Sequence, residues 1–236
     1  SKEEKSKPTQ QSVNLLRQKG IQPDIIIGRC EKLLTDDIRE RISMFCDVPK
    51  EAVITGLDVK NVYDIPLVYY EEGILSHLNE KLGLNAHPNL EKWKTLTERM
   101  KHAQKNVNIA LCGKYTKLAD SYASVLEAIR HAGANANVIP HVHWIETTDI
   151  EEGKISLETA LHGMDGVIVP GGFGGRGAEG KIQVIRHARE KNIPFLGLCY
   201  GMQLAVIEFA RTQLELRDAN TTEINPQTPH PVVDLL

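Results

Sequence analysis

The sequence predicts an α/β protein whose larger part is a doubly wound, mostly parallel sheet. Three observations predict it. Short apolar runs end in glycine turns and lead into segments whose apolar residues recur at helical spacing. The opening stretch reads strand, helix, strand at the spacing of a βαβ crossover, which makes the pair parallel. Beyond residue 107 the same alternation repeats, which puts any site at the carboxyl ends of the strands.

The elements follow in order. A helix over residues 13–19 ends at Gly20, as a C-cap would. Ile21-Gln22-Pro23-Asp24-Ile25-Ile26-Ile27-Gly28 contains a short apolar strand. Thr35, with Asp36 and Asp37 behind it, is an N-cap with acidic residues in the first turn. The helix it starts carries Ile38, Ile42 and Phe45 on one face. Ala52-Val53-Ile54-Thr55 is the second strand, and one apolar helix spans residues 66–82. These elements make a first lobe over residues 1–85. Residues 86–106 form a linker: a turn at Ala86-His87-Pro88-Asn89, then a charged helix anchored by Trp93 and Leu96. The second lobe, residues 107–236, opens on the strand Val107-Asn108-Ile109-Ala110-Leu111-Cys112-Gly113. A helix over 121–131, a strand over 138–144, a strand before Pro170, a helix over 179–191 and a final buried strand from Ile193 follow.

Composition bounds the function. At 41% hydrophobic and 25% charged, 236 residues can bury a core and hold two lobes. A net charge of −3 gives no basic footprint for nucleic acid, and no run of about 18 apolar residues offers a membrane span. The polar start has no signal-peptide core. Cysteines at 30, 46, 112 and 199 lack C-x-x-C spacing and the density of a secreted scaffold, which suits a reducing cytoplasm. Cys30, Cys46 and Cys112 read as packing residues.

Cys199 reads differently. Ile193-Pro194-Phe195-Leu196-Gly197-Leu198-Cys199-Tyr200-Gly201-Met202-Gln203 is strand, turn and helix, with glycines two residues either side of the thiol. That is the logic of a nucleophile elbow, and a helix N-terminus favours thiolate. After the turn, the apolar residues Met202, Ala205, Val206 and Phe209 recur at helical spacing. Some 27 residues earlier, Pro170-Gly171-Gly172-Phe173-Gly174 follows another apolar strand. Acyl transfer needs two amides aimed at the developing oxyanion; Tyr200 and the Gly171-Gly172 loop can supply them.

Together these two segments resemble class I (triad) glutamine amidotransferases. More narrowly, Gly174-Gly175-Arg176-Gly177-Ala178-Glu179-Gly180-Lys181, Asp218-Ala219-Asn220-Thr221-Thr222-Glu223 and Lys5-Ser6-Lys7-Pro8-Thr9-Gln10-Gln11 resemble the CTP synthase family across essentially the whole chain. The resemblance implies a glutaminase domain preceded by the C-terminal part of a nucleotide-binding α/β synthetase domain. It makes Cys199 the nucleophile, Gly172 and Tyr200 the oxyanion hole, and adds Gln203 and Glu223 to the glutamine site. It gives Lys5, Lys7, Gln10 and Arg41 to UTP and to CTP as feedback inhibitor, with Pro8 stiffening their loop. Leu57, Asp58 and Val59 fall to ATP, and Arg176 and Glu179 to a loop associated with the activator GTP. It further implies Mg²⁺ held mainly outside this stretch, a homo-oligomer (dimer, tetramer or filament), and no nucleic-acid or membrane partner.

The same resemblance implies a longer enzyme. The family's phosphate loop has no counterpart here, and residues 232–236 precede the region where the family places its triad His and Glu. The expectation is an incomplete enzyme. His187 and His230 are poor substitutes, because a nucleophile needs a base in reach that is itself oriented. His141 and His143 alternate on one strand without a third ligand, too few for a metal site. Two other classes remain open: another Cys-elbow amidotransferase, and a non-catalytic assembly or regulatory module.

Overall fold

In a computed structural model describing residues 6–114 and 119–234, the chain divides into two compact units, 1–101 and 102–236. The first is built on a parallel pair, β1 (Ile26–Cys30) and β2 (Val53–Leu57), registered Ile26 to Val53 through Cys30 to Leu57. Helix α1 (Lys7–Gln18) has Pro8 in its first turn, so Lys7 through Gln10 are helical rather than a stiffened loop. A proline's fixed φ suits that position, where its missing N–H is no loss. Helix α2 (Asp36–Cys46) starts after Thr35, whose side chain makes no capping bond. Its core face is Ile42 and Cys46, with Ile38 packed against them, while Phe45 lies 53% exposed. The apolar helix expected over 66–82 is two helices, α3 (Ile65–Glu71) and α4 (Ile74–Leu82), because the chain turns left-handed at Gly73, φ 83°. Helix α5 (Glu91–His102) anchors through Trp93, whose indole N–H donates to the Tyr63 carbonyl at 2.7 Å.

The polar heart of this unit is Arg39. It donates to the Val53 carbonyl, to Thr55 Oγ1 at 2.8 Å and to Glu72 Oε2 at 2.6 Å, and Thr55 N–H reaches the same carboxylate oxygen at 2.8 Å. These bonds to Arg39 and Thr55 hold the Glu72 carboxyl below its ordinary range, against the upward push of burial.

The second unit carries a parallel sheet ordered β4-β3-β5-β6. Its strands are β3 (Lys105–Gly113), β4 (Val138–Glu146), β5 (Gly166–Val169) and β6 (Phe195–Gly197). Helix α6 (Ala123–Ala136) crosses from β3 to β4, and the short α7 (Thr147–Glu151) and α8 (Leu157–Ala160) lead to β5. Helix α9 (Ala178–Glu190) joins β5 to β6, and α10 (Tyr200–Gln213) follows the elbow. Two further short strands, β7 (Ala219–Thr221) and β8 (His230–Val233), pair in parallel; their three- and four-residue lengths and internal Pro231 hide them from a periodicity reading. Across the β3–β4 ladder, His141 and His143 each bond an asparagine, Asn106 and Asn108, at 2.8 and 3.0 Å. Among the described residues no cluster of three His, Cys, Asp or Glu could hold a metal ion, and no helix is long and apolar enough to cross a membrane.

Helices α9 and α10 are stitched by Arg189, which grips the buried Glu208 carboxylate with Nε and a terminal nitrogen at 2.8–3.2 Å. One expectation fails here. The final strand is not buried: Phe195 is 36% and Leu196 52% exposed, because among the described residues β6 pairs on one side only, with β5. The helix read from the spacing is present as α10, with Met202, Val206 and Phe209 about half exposed and Tyr200, Gly201, Leu204, Ile207, Glu208 and Ala210 as its buried face. Both stripes are spaced for a helix, and the buried one holds the ion-paired Glu208, which disguises it.

Close backbone approach decides the elbow. A Cβ added at Gly201 would lie 2.1 Å from the Val169 carbonyl oxygen, and one at Gly197 would lie 2.7 Å from Met202 N. Gly201→Ala is therefore expected to cost about 3 kcal/mol or more. Gly153→Ala, at φ 70° with open space around it, should cost about 1 kcal/mol. Denaturant unfolding of both variants compares them, and equal small losses would contradict the close-approach account.

Candidate active site

The site assembles at the carboxyl ends of β5 and β6. Strand β5 runs out through Pro170 into the glycine loop, and β6 runs into Leu198 and Cys199, with Leu198 N–H bonded to the Val169 carbonyl at 2.9 Å. Cys199 sits at the N-cap of α10 with φ 50° and ψ −105°, a conformation that costs roughly 1–3 kcal/mol and persists where surroundings enforce it. The thiol is exposed and has no hydrogen-bond partner among the described residues. The Tyr200 amide, at the first helical position, is among the amides a helix leaves without an internal acceptor, and the helix dipole favours negative charge beside it.

The glycine loop lies against this elbow. A Cβ on Gly171 would come 3.7 Å from that of Cys199, and one on Gly172 would come 3.9 Å from the Tyr200 ring. Three side chains clamp the loop backbone. Tyr200 O–H donates to the Gly174 carbonyl at 2.8 Å, Glu223 Oε1 accepts from Gly174 N–H at 2.7 Å, and Lys114 Nζ donates to the Phe173 carbonyl. Beneath Gly172 lies Lys181, only 1% exposed, its Nζ 5.3 Å from the Tyr200 ring centroid.

Burial, helped by the charge of Lys114, lowers the Lys181 ammonium to about 8; Glu146 and Cys112 act in the opposite sense. Burial pushes the Cys112 thiol up to about 12. Burial first, then Glu223 and Glu179, push the Tyr200 phenol to about 12.

Comparison with known proteins gives the family. The CTP synthase N-terminus family model matches residues 1–84, and the class-I glutamine amidotransferase model matches residues 117–233. CTP synthases of Thermococcus gammatolerans and Thermococcus kodakarensis are each 52% identical to this chain over 235 residues, 99% of it. The chain belongs to the CTP synthase family. It spans 44% of the length of those two relatives. Among solved structures, the glutaminase domain of a Trypanosoma brucei CTPS with bound acivicin is 38% identical, with a TM-score of 0.50 over 55% of this chain and 50% of that one.

Set against the family's pattern, Cys199, Gly172, Tyr200 and Glu223 come together at one place. Gln203 stands four residues after Cys199 on α10, one turn along the same side, and its N–H bonds the Cys199 carbonyl at 3.1 Å. Glu179, in the first turn of α9, is held by Arg211 through both carboxylate oxygens at 2.9 and 3.0 Å, while Arg176 is exposed in the loop before it. In the first unit, Leu57, Asp58 and Val59 line a hollow at the carboxyl end of β2 with Arg29, whose Nε bonds Asp58 at 2.7 Å. Lys7 and Arg41 are exposed on α1 and α2, and the Gln10 amide bonds Ser6 at 3.1 Å; no hydrogen bond joins the three. Lys5 lies outside the described residues.

Sequence reasoning missed Lys114, Lys181, Arg211 and Arg29. For Lys181 a signal exists: with Ala178, Ile182, Ile185 and Ala188 it falls on the buried stripe of α9.

One pH dependence follows. Between about 8 and 10.5 the unfolded chain keeps the Lys181 proton that the folded chain has lost, so folding stability rises with pH in that window, by at most about 1.4 kcal/mol per unit. Thermal unfolding across that range should therefore show the native chain gaining on Lys181→Met as pH rises. A constant difference would contradict the burial of the charge.

Proposed function

We propose that this chain carries the glutamine-hydrolysing site of a CTP synthase, releasing ammonia that converts UTP to CTP in an ATP-driven amination. The observation that carries the reading is the strained elbow at Cys199 facing a clamped glycine loop. In this reading the Cys199 thiolate attacks the side-chain amide carbon of glutamine, and the carbonyl electron pair moves onto oxygen. The amides of Gly172 and Tyr200 hold that oxyanion, each worth roughly 2.7–4 kcal/mol. Collapse re-forms the carbonyl and breaks the C–N bond, releasing ammonia once the leaving nitrogen has gained a proton. Water then cleaves the thioester to glutamate and the free thiol. Glu223, with Oε1 on Gly174, meets the α-ammonium of glutamine through its other oxygen, and Gln203 lines the same pocket.

The first unit supplies nucleotide contacts: Lys7, Gln10 and Arg41, with Lys5, for UTP and for CTP as inhibitor, and Leu57 to Val59 for the adenine of ATP. Arg176 and Glu179 serve GTP. The described residues offer no three-ligand cluster for Mg²⁺. No disulfide joins the four cysteines among the described residues, which supports a reducing, cytoplasmic setting. The family resemblance proposes a homo-oligomer.

Acivicin, bound in the Trypanosoma brucei glutaminase domain, is the probe. Incubation should add one equivalent to Cys199, read by peptide mass, and L-glutamine should slow it. Cys199→Ala should abolish the adduct. Glu223→Ala, losing a charge-assisted contact, should slow labelling about tenfold or more. An adduct elsewhere, or one that glutamine does not slow, would overturn the reading.

A further inference from the structure

Lys181 is a charged side chain that the proposed chemistry leaves unused. It is 1% exposed on a helix whose neighbouring buried positions are alanine, glycine, isoleucine and valine. Its Nζ makes no hydrogen bond or ion pair among the described residues. A buried ammonium without a partner is costly, and an apolar side chain would fill the stripe of α9 as well. Its position is informative. Nζ lies 3.4 Å from where a Gly172 side chain would begin and 5.3 Å from the Tyr200 ring centroid. Gly172 and Tyr200 are the two residues whose amides the proposed chemistry assigns to the oxyanion.

We propose that Lys181 is a positioning residue of the oxyanion site, a buried cation that braces the Gly172 and Tyr200 segments from behind and biases the space before Cys199 towards anions. The inference rests on the acyl-transfer reading of Cys199. Lys181 is itself shielded from water, and a shielded cation acts at longer range than one at the surface. It therefore favours the state in which negative charge sits on the carbonyl oxygen over the neutral substrate, which is the differential stabilisation that catalysis needs. The groups facing Lys181 fit a tuned charge: Lys114 at the end of β3 opposes its protonation, Glu146 at the end of β4 and Cys112 within β3 favour it, and the Tyr200 ring from α10 packs on it. Lysine supplies a cation here that can titrate, whereas arginine could not.

Two alkylating reagents test this on the chain as it stands. Iodoacetate and iodoacetamide both react with the Cys199 thiolate, forming an S–C bond and releasing iodide, but only iodoacetate is an anion. The ratio of their rates at the Cys199 peptide, followed by mass spectrometry, cancels the ionisation of the thiol and reads the local charge. In the native chain the ratio should fall about fivefold as pH rises through about 8. In Lys181→Met it should start at the lower value and stay flat. A ratio that is constant from pH 6.5 to 9.5 in the native chain overturns the proposal, whether or not the variant folds. So does a Lys181→Met ratio that matches the native one at pH 7. Acivicin labelling judges the glutamine reading separately: a pH-dependent ratio in a chain that ignores acivicin leaves the charged brace standing and removes glutamine as its substrate.

Discussion

The contact between the first turn of α10 and the end of β5 governs the second unit. At Gly201 the helix presses on the Val169 carbonyl so closely that no side chain fits between them. The same carbonyl accepts the Leu198 amide at 2.9 Å, so one oxygen fixes both the exit of β6 and the entry of α10. A strand and a helix held that close leave the intervening residue no relaxed backbone, and Cys199 takes φ 50°. The thiol is thereby raised at the tip of a turn, beside the Tyr200 amide at the helix start. Strain at the cysteine and the absence of side chains at Gly197 and Gly201 are one structural fact seen from two sides.

The oxyanion role proposed for the glycine loop requires that its peptides not be free to rotate. Its freedom is removed from three directions by Tyr200, Glu223 and Lys114, each bonded to a loop backbone atom. Tyr200 also contributes an amide at the helix start, so one residue ties the elbow to the loop through its side chain. Lys181 completes the arrangement from below. Glu223 arrives from the segment after β7, so the short β7–β8 pair belongs to the site and is not decoration on the fold.

Much of this was legible in the sequence, for identifiable reasons. The parallel strands before Pro170 and before Leu198 announce themselves as apolar runs ending in glycine, and the elbow spacing singles out Cys199. Three features were hidden. The break at Gly73 sits inside an apolar stretch that reads as one helix. The packing face of α10 contains Glu208, whose charge is cancelled by Arg189 on α9, a pairing only the fold reveals. Strands as short as β7 carry no period to detect. The charged residues around the site, Lys114 and Lys181 above all, have meaning only once β3, α9 and the loop are brought together. In the first unit the structure leaves Lys7, Gln10 and Arg41 unjoined, so their role stays with the family pattern rather than with the observed geometry.

The most direct test of the central claim uses a chimera in which residues 6–234 replace the matching stretch of the Thermococcus gammatolerans relative, assayed for CTP formation from UTP and ATP. With Cys199 intact, either glutamine or ammonia should serve as nitrogen source. With Cys199→Ala, ammonia should still serve and glutamine should not. Glutamine-driven CTP formation that survives the substitution would remove Cys199 from the chemistry and contradict the account built on its elbow.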